Sequence, residues 1–439
     1  MIPNRGKFAT VLMFPTIKRQ SGGVGFCALR STRNAWQATV STERRKRYPV
    51  HRRISEKGAP RLVNPPGIFG LRTHARAKTH THTAGVMDGK TAVAMEPEGA
   101  AYTNRIFSDL ELVKKDATYL LAESDSDEFD DETRLPRLDI GRYIDGDDKA
   151  KEAFSQALGA SMSTLGFAVL TGHGIDASLY EEAARLASAF FAGSSPEEKA
   201  RFVCPDRRTR GYTPPDLFAR SGVLTMLEDF RIDLAHDDPE FASAIPWPSD
   251  ELRRVFGTYL REHQRILLPI VQSLLRYMGC TASLYDERMA RCEALLRWNY
   301  YPPVPAGADA GLRSRFMAHE DIGLFTLLPC PSARGLQLLA RDTGKWIRVA
   351  GLEPNDIVLN VGDTFQRISQ DVLVSTTHRV SASREELAEP RISFPLGVYL
   401  ADDDLIEPVD SPLIPETAAR YAPIKAGDFR RQLLRKFRF

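Results

Sequence analysis

The chain has 439 residues, 43% of them hydrophobic and 26% charged, with a formal net charge of +2. Those values describe a globular protein with room for one large domain or two to three ordinary ones, and no stretch approaches the roughly 18 uninterrupted apolar residues of a membrane helix. The five cysteines are odd in number and none stands at Cys-x-x-Cys spacing, which argues against a disulfide framework or a structural zinc cluster and for a reducing, cytoplasmic setting.

The small net charge hides an asymmetry. Residues 1–86 hold 17 Lys and Arg against Glu43 and Glu56, a net of +15, which leaves −13 for the remainder. A basic excess confined to the leader argues against nucleic-acid binding by the body. The leader has no hydrophobic period; it reads as a basic disordered arm, a transit peptide, or sequence upstream of a true start at Met87. A short helix is expected within 100–121, through Ile106, Leu110, Val113 and Leu120. Residues 123–132 then hold seven acids in ten, the signature of a solvated linker, so 87–134 is expected to be a linker with an acidic run.

The folded body is expected to start at Leu135. Helical periodicity runs over 149–165, and Gly166–Ile175 reads as a strand ending in a tight turn. Its His173, between two glycines, is expected to bond backbone rather than a metal. Helices follow over 179–191, at Ser195-Pro196-Glu197-Glu198 with a capping box, and over 251–278, with Pro269 as an expected kink. Residues 135–290 thus form an N-terminal helical region. From Ala294 the character changes. Short segments rich in Leu, aromatic and β-branched residues recur at 295–301, 314–319, 324–328, 335–340, 346–349, 357–361, 374–380 and 391–399, separated by turn residues. About eight strands at this spacing suggest a double-sheet jelly roll. The expected fold is α+β, mainly β: a double-stranded β-helix (jelly roll) core over 291–439, flanked by N-terminal and C-terminal helices.

His319-Glu320-Asp321 enters one of these segments. In an extended backbone His319 and Asp321 point the same way and Glu320 the other. An imidazole and a carboxylate on one face are two thirds of a 2-His-1-carboxylate iron site, although a lone His-x-Asp is more often a surface turn pair. Outside the leader the histidines are His173, His236, His263, His319 and His378. Of these, only His319 and His378 fall on expected strands of the C-terminal half, so His378 is the candidate third ligand. Zinc is the alternative metal for such a donor set.

Several motifs in order resemble those of the isopenicillin N synthase-like iron(II)- and 2-oxoglutarate-dependent dioxygenases. Arg297-Trp298-Asn299-Tyr300-Tyr301-Pro302-Pro303 is similar to the family's Asn-Tyr-Tyr-Pro-Pro. His319-Glu320-Asp321 matches its His-x-Asp, Gly362-Asp363-Thr364-Phe365-Gln366 its Gly-Asp-x-x-Gln, Thr377-His378-Arg379-Val380 its distal-histidine strand, and Arg391-Ile392-Ser393 its Arg-x-Ser. The resemblance runs from about Leu135 to the C-terminus. It departs at Trp298, where an aliphatic is commoner, and in a long gap before Arg391. It implies iron(II) on His319, Asp321 and His378, and 2-oxoglutarate on Arg391, Ser393, Tyr301 and Asn299, with O₂ as oxidant. It implies oxidation of a small organic molecule by hydroxylation, desaturation or ring closure, with release of succinate and CO₂. A carboxylate at Asp321 fills the position a halide would need, which speaks against a halogenase.

Arg297 shares a strand face with Asn299 and Tyr301. It reads either as a cation for an acidic group of the substrate or as half of an ion pair with a nearby acid. Apolar and aromatic residues of motif-free stretches, Tyr212, Leu217, Phe218, Met226, Phe230 and Phe316, are candidate substrate contacts. The C-terminal tail from Tyr421 is expected to wall the pocket. The protein is expected to act as a monomer with a small-molecule substrate, without a nucleic-acid or membrane partner. The competing readings are a same-fold oxidase that uses no 2-oxoglutarate, an enzyme that fragments 2-oxoglutarate to ethylene, and a non-catalytic jelly-roll binding module.

Overall fold

A computed structural model describes residues 102–103, 118–119, 123, 125–203, 210–215, 227–234, 247–304, 314–329, 331–381, 383–416 and 421–436. The basic leader, His236, Leu217, Phe218 and Met226 lie outside them. So does most of the helix expected within 100–121; Tyr102–Thr103 and Thr118–Tyr119, near its ends, instead pair as two short antiparallel strands.

The first half supplies helices with side-chain caps. β1 (Arg137–Asp139) leads to α1 (Asp148–Thr164), whose N-cap Asp147 accepts from Ala150 N. β2 (Phe167–Thr171) and α2 (Ala177–Gly193) follow, the latter capped by Asp176. Ser195 and Glu198 form the expected capping box. β3 (Gly211–Thr213) and β4 (Glu228–Leu234) come before α3 (Asp250–Tyr277). α3 runs through Pro269 without a break, although proline cannot donate to the carbonyl one turn back. His173 behaves as expected: its Nδ1 accepts from Ile175 N and its Nε2 reaches Asn355 O at 2.8 Å.

The second half is strand-rich. β5 is Glu293–Tyr301, β6 Ser314–His319, β7 Phe325–Pro329, β8 Leu336–Leu339, β9 Trp346–Arg348 and β10 Ile357–Val361. α4 (Asp363–Ile368) separates them from β11 (His378–Ser381), β12 (Arg391–Ser393) and β13 (Leu396–Tyr399). α5 (Ala426–Lys436) closes the described chain. A nine-stranded sheet runs β1-β2-β10-β7-β13-β5-β4-β3, with β12 also on β5. A five-stranded sheet runs Phe129–Asp130, β9, β8, β11, β6. Together they make the jelly-roll core.

The two-residue period of the strands sorts their side chains. Ile357, Leu359 and Val361 of β10 join the large core built with the helices. Val358 between them joins a second cluster with Phe167, Leu336, Leu338 and Ile347, where side chains of both sheets meet. On β5, Ala294, Leu296, Trp298 and Tyr300 face the helical core, so Arg297, Asn299 and Tyr301 face the space between the sheets. β5 is therefore apolar on one side and polar on the other because each side meets a different layer.

The acidic run is not a free linker over its whole length. Phe129–Asp130 pairs in parallel with Trp346–Ile347 of β9. Asp127 bonds the fully buried Arg379 of β11 at 2.6 Å, and Glu123 accepts from Gln337 at 2.8 Å. Arg348 stacks on the Phe129 ring at 3.3 Å and pairs with Asp131. High acid content signals solvation only where no cation waits in the fold; here the buried Arg379 and the exposed Arg348 pair with Asp127 and Asp131.

Candidate active site

β11 and β6 pair so that His378 lies directly opposite His319. Their ring centroids are 4.3 Å apart. β6 ends at His319, so Asp321 stands just past the strand in the following loop rather than on it. Its carboxylate nevertheless returns to the histidines, with Oδ1 3.6 Å from His319 Nε2 and Oδ2 4.0 Å from His378 Nε2. One ligand atom from each of the three residues fits within 4.8 Å of the others, the only such group of three or more His, Cys, Asp or Glu among the described residues. Glu320 turns to another contact, accepting from the Thr377 hydroxyl.

Each of the three side chains is aimed by a second bond. His319 Nδ1 bonds Met317 O at 2.8 Å, and His378 Nδ1 bonds Thr376 O at 3.0 Å. A backbone carbonyl only accepts, so the proton sits on Nδ1 and the Nε2 lone pairs are left for a metal. Asp321 Oδ2 accepts from Thr326 Oγ1 at 2.6 Å and from Asn360 Nδ2 at 2.8 Å. Burial pushes His319 down to about 4, helped by the neighbouring His378 and opposed by Asp321, so its ring is neutral at pH 7. Burial would raise Asp321, but His378, His319 and the bonds from Asn360 and Thr326 together hold it below the ordinary value. The Phe316 ring lies 4.6 Å from the His319 ring, and Phe167 packs edge-on to His378 at 5.4 Å. Two imidazoles and one carboxylate, backed by hydrogen bonds and rimmed by apolar rings, suit iron(II).

The loop carrying Asp321 is clamped by the Gly362-Asp363-Thr364 motif, which sequence reading matched without giving it a task. Asp363 N donates to Asp321 O at 2.7 Å, and Thr364 Oγ1 donates to Ile322 O at 2.7 Å. A Cβ on Gly362 would sit 2.3 Å from Gly323 O, so no larger residue lets the chains approach this closely. Gln366 Oε1 accepts from Ser375 N at 2.6 Å, three residues before His378. Thr326 and Asn360 went unnoticed too, because a single Thr or Asn on a strand carries no sequence signal.

A second cluster forms where β12 pairs with β5. Arg391 is opposite Tyr301 and Ser393 opposite Asn299, so all four expected co-substrate residues come together. Arg391 is 1% exposed; its Nη1 donates to Ser393 Oγ at 3.1 Å and its Nε to Ala333 O at 3.2 Å, and its guanidinium lies 5.2 Å from the Tyr301 ring centroid. Asn299 Oδ1 is buried without a hydrogen-bond partner among the described residues. Burial lifts the Tyr301 hydroxyl against the pull of Arg391, which keeps it protonated. A second buried cation, Arg315 of β6, bonds the carbonyls of Glu386 and Glu389; burial and then the charge of Arg391 lower its pKa.

The candidate substrate contacts divide. Phe316 is beside His319. Arg297 faces inward but is ion-paired: its Nε and Nη2 reach Asp229 Oδ2 at 3.0 and 2.5 Å. Tyr212 and Phe230, opposite each other on β3 and β4, are on the other face of the sheet. Phe230 stacks on Trp298 at 4.6 Å, and Tyr212 bonds Glu228, which also holds Lys199. Both belong to the helical core and are placed away from the hollow; without a recognised strand, the sequence offered no way to choose their face. Arg430 of the C-terminal helix bonds Glu293 of β5 and lies 5.5 Å from the Tyr399 ring of β13.

Comparison with known proteins shows the family. The family model of the 2OG-Fe(II) oxygenase superfamily matches residues 292–396, and that of the non-haem dioxygenase in morphine synthesis N-terminal region matches 135–250. The chain is 32% identical over 272 residues to the 2-oxoglutarate-dependent dioxygenase citB of Monascus ruber, covering 56% of this chain and 79% of that protein. It is 27% identical to mugineic-acid 3-dioxygenase of Hordeum vulgare, over 68% of this chain and 83% of that one. Among solved structures, a 2OG-Fe(II) oxygenase family protein from Caulobacter crescentus is similar at a TM-score of 0.60 and 27% identity, over 69% of this chain and 98% of that one. A full-length Neurospora crassa protein crystallised with alpha-KG and thymine shares the fold at a TM-score of 0.61 and 24% identity, over 72% of this chain and 99% of that one. No described helix is long and apolar enough to cross a membrane. The chain belongs to the 2OG-Fe(II) oxygenase superfamily and is an iron(II)- and 2-oxoglutarate-dependent oxygenase.

Proposed function

We propose that His319, Asp321 and His378 hold iron(II), that Arg391 and Ser393 bind the far carboxylate of 2-oxoglutarate beside Tyr301 and Asn299, and that a small organic molecule is oxidised over the same hollow. The observation that carries this is one of register: His378 opposite His319 and Arg391 opposite Tyr301 gather seven residues, separated by up to 94 positions, into two adjoining clusters. Bound iron(II) supplies activation of O₂ with 2-oxoglutarate as reductant, releasing succinate and CO₂.

The chain's own residues do the rest. Thr326 and Asn360 fix one oxygen of Asp321, so Oδ1 is presented to the metal. The bonds to Met317 O and Thr376 O fix both histidine tautomers. Arg391 offers a permanent charge in a planar fork, which matches a carboxylate in two-point contact. Phe316 and Phe167 keep water from the histidines. The acidic balance outside the leader supports a small-molecule substrate over nucleic acid. The cysteine pattern supports a cytoplasmic setting.

The test is anaerobic binding of iron(II) and 2-oxoglutarate, followed by admission of O₂ and measurement of succinate. The wild type should bind both and form succinate, and His319→Ala and His378→Ala should lose metal binding. Unaltered metal binding in both variants would overturn the assignment.

A further inference from the structure

The proposed site has a polar wall that the iron and 2-oxoglutarate roles leave unused. On β4 and β5, Arg231 is directly opposite Arg297, and Asp229 opposite Asn299. Asp229 is fully buried, and its Oδ2 accepts from Arg297 Nε and Nη2 and from Arg231 Nε at 2.9 Å. Neutralising one carboxylate takes one arginine; here two guanidinium groups meet the same oxygen.

Arg297 is held side-on by this contact. Both of its bonds go to Asp229, and its Nη1 has no hydrogen-bond partner among the described residues. Its side chain keeps 23% of its surface accessible, although its strand neighbours Leu296 and Trp298 are sealed. The unbonded edge of the fork lies on the face of β5 that looks between the sheets, beside the Phe316 ring. Tyr399 of β13 stands on the same wall, and its hydroxyl has no hydrogen-bond partner among the described residues. Burial pushes that hydroxyl up to about 12, with Asp321 adding to the effect and Arg297, Arg430 and Arg231 opposing it. It is thus a proton donor at neutral pH, within electrostatic reach of both Arg297 and Asp321. Phe316 links this wall to the metal ligands: its ring centroid is 5.8 Å from the Arg297 guanidinium and 4.6 Å from the His319 ring.

We infer that the prime substrate is a carboxylic acid, held through its carboxylate by Arg297 Nη1 and the Tyr399 hydroxyl, with the oxidised carbon across the Phe316 ring beside His319. This rests on the site assignment proposed above. A guanidinium edge and a phenol that both donate and both lack an acceptor select an anion; a neutral substrate would leave the arginine edge unsatisfied when it expelled water.

The probes are benzoate, phenylacetate, cinnamate and hexanoate, each beside its primary amide. They are added to the full-length protein with manganese(II) and 2-oxoglutarate, and binding is read as a melting shift and by calorimetry. At least one acid should bind about 10- to 100-fold more tightly than its amide, the range for a hydrogen bond to a charged group. Arg297→Leu should abolish that preference, Arg297→Lys should keep part of it, and Tyr399→Phe should reduce it a few-fold. An intact melting transition in Arg297→Lys guards against misfolding. The inference fails if metal and 2-oxoglutarate bind but no acid is preferred over its amide, or if Arg297→Leu keeps the preference. Wild type that binds neither metal nor 2-oxoglutarate would instead overturn the site assignment beneath it.

Discussion

Thr326 and Asn360 sit directly opposite each other on β7 and β10, and both donate to the same oxygen of Asp321. The larger sheet thereby steadies a carboxylate whose two partner histidines belong to the smaller sheet. Hydrogen bonds of this kind typically tune metal affinity by about 10- to 100-fold. Asn360→Leu combined with Thr326→Val should weaken manganese(II) or iron(II) binding by about that factor, read by calorimetric titration, while the fold survives. Wild-type affinity in the double variant would show that Asp321 needs no such support.

The proposed co-substrate cluster allows a test that separates charge from shape. Arg391→Lys keeps a cation but loses the planar fork, and Arg391→Leu loses both. The 2-oxoglutarate KM should rise about tenfold in the first and about 100-fold in the second, following the ~1.5–3 kcal/mol of a hydrogen bond to a charged group. Equal effects from the two substitutions would point to a role for charge alone.

Much of this is legible in the sequence. The segments expected from 295–301 to 357–361 lie on β5 to β10 because turn residues bracket short apolar runs, whereas 374–380 is a strand only from His378 and 391–399 divides into β12 and β13 around Phe394-Pro395; the proposed metal ligands stand in ordered motifs. What escaped has physical reasons. β4 alternates Asp229, Arg231 and Asp233 with Phe230 and Ile232, and charges on an inward face hide a strand that pairs along its whole length with β5. α4 follows β10 after one residue, Gly362, too briefly for helical periodicity to register. The acidic run read as solvated because the cations it meets, Arg379 and Arg348, are more than 200 positions away. The sequence allows Arg297 two roles; the structure supplies the ion pair and leaves Nη1 without a hydrogen bond among the described residues.

That acidic arm should be needed for stability. Arg379 is fully buried next to His378, stacked 3.7 Å from the Trp346 ring centroid and bonded to Asp127. Removing one partner of a buried pair costs about 3–5 kcal/mol in a fully desolvated setting. Asp127 keeps a little exposure, so Asp127→Leu should destabilise by about 2–4 kcal/mol and lower the denaturant midpoint in proportion. Asp127→Asn, which can still accept a hydrogen bond, should cost less. An unchanged midpoint in Asp127→Leu would mean the arm merely rests on the sheet.

His263 supplies a pH dependence independent of the metal site. It is buried on α3, its Nδ1 bonded to Tyr259 O at 2.7 Å and its Nε2 3.2 Å from the Tyr180 hydroxyl, with the Tyr259 ring stacked on it. Burial lowers it to about 4, partly offset by the bond to Tyr259 and reinforced by His173. The unfolded chain binds this proton near pH 6.5 and the folded chain only near 4, so acid favours unfolding. The stability tied to a neutral His263 is fully present above about pH 6.5 and is lost as pH falls from there toward 4. Linkage over that interval amounts to about 2 kcal/mol between pH 7 and pH 5. His263→Gln cannot take up the proton, so its stability should fall less over the same range, by about that amount. Chemical denaturation of both proteins at pH 7 and pH 5 measures the difference, and parallel losses would show that His263 does not titrate on unfolding.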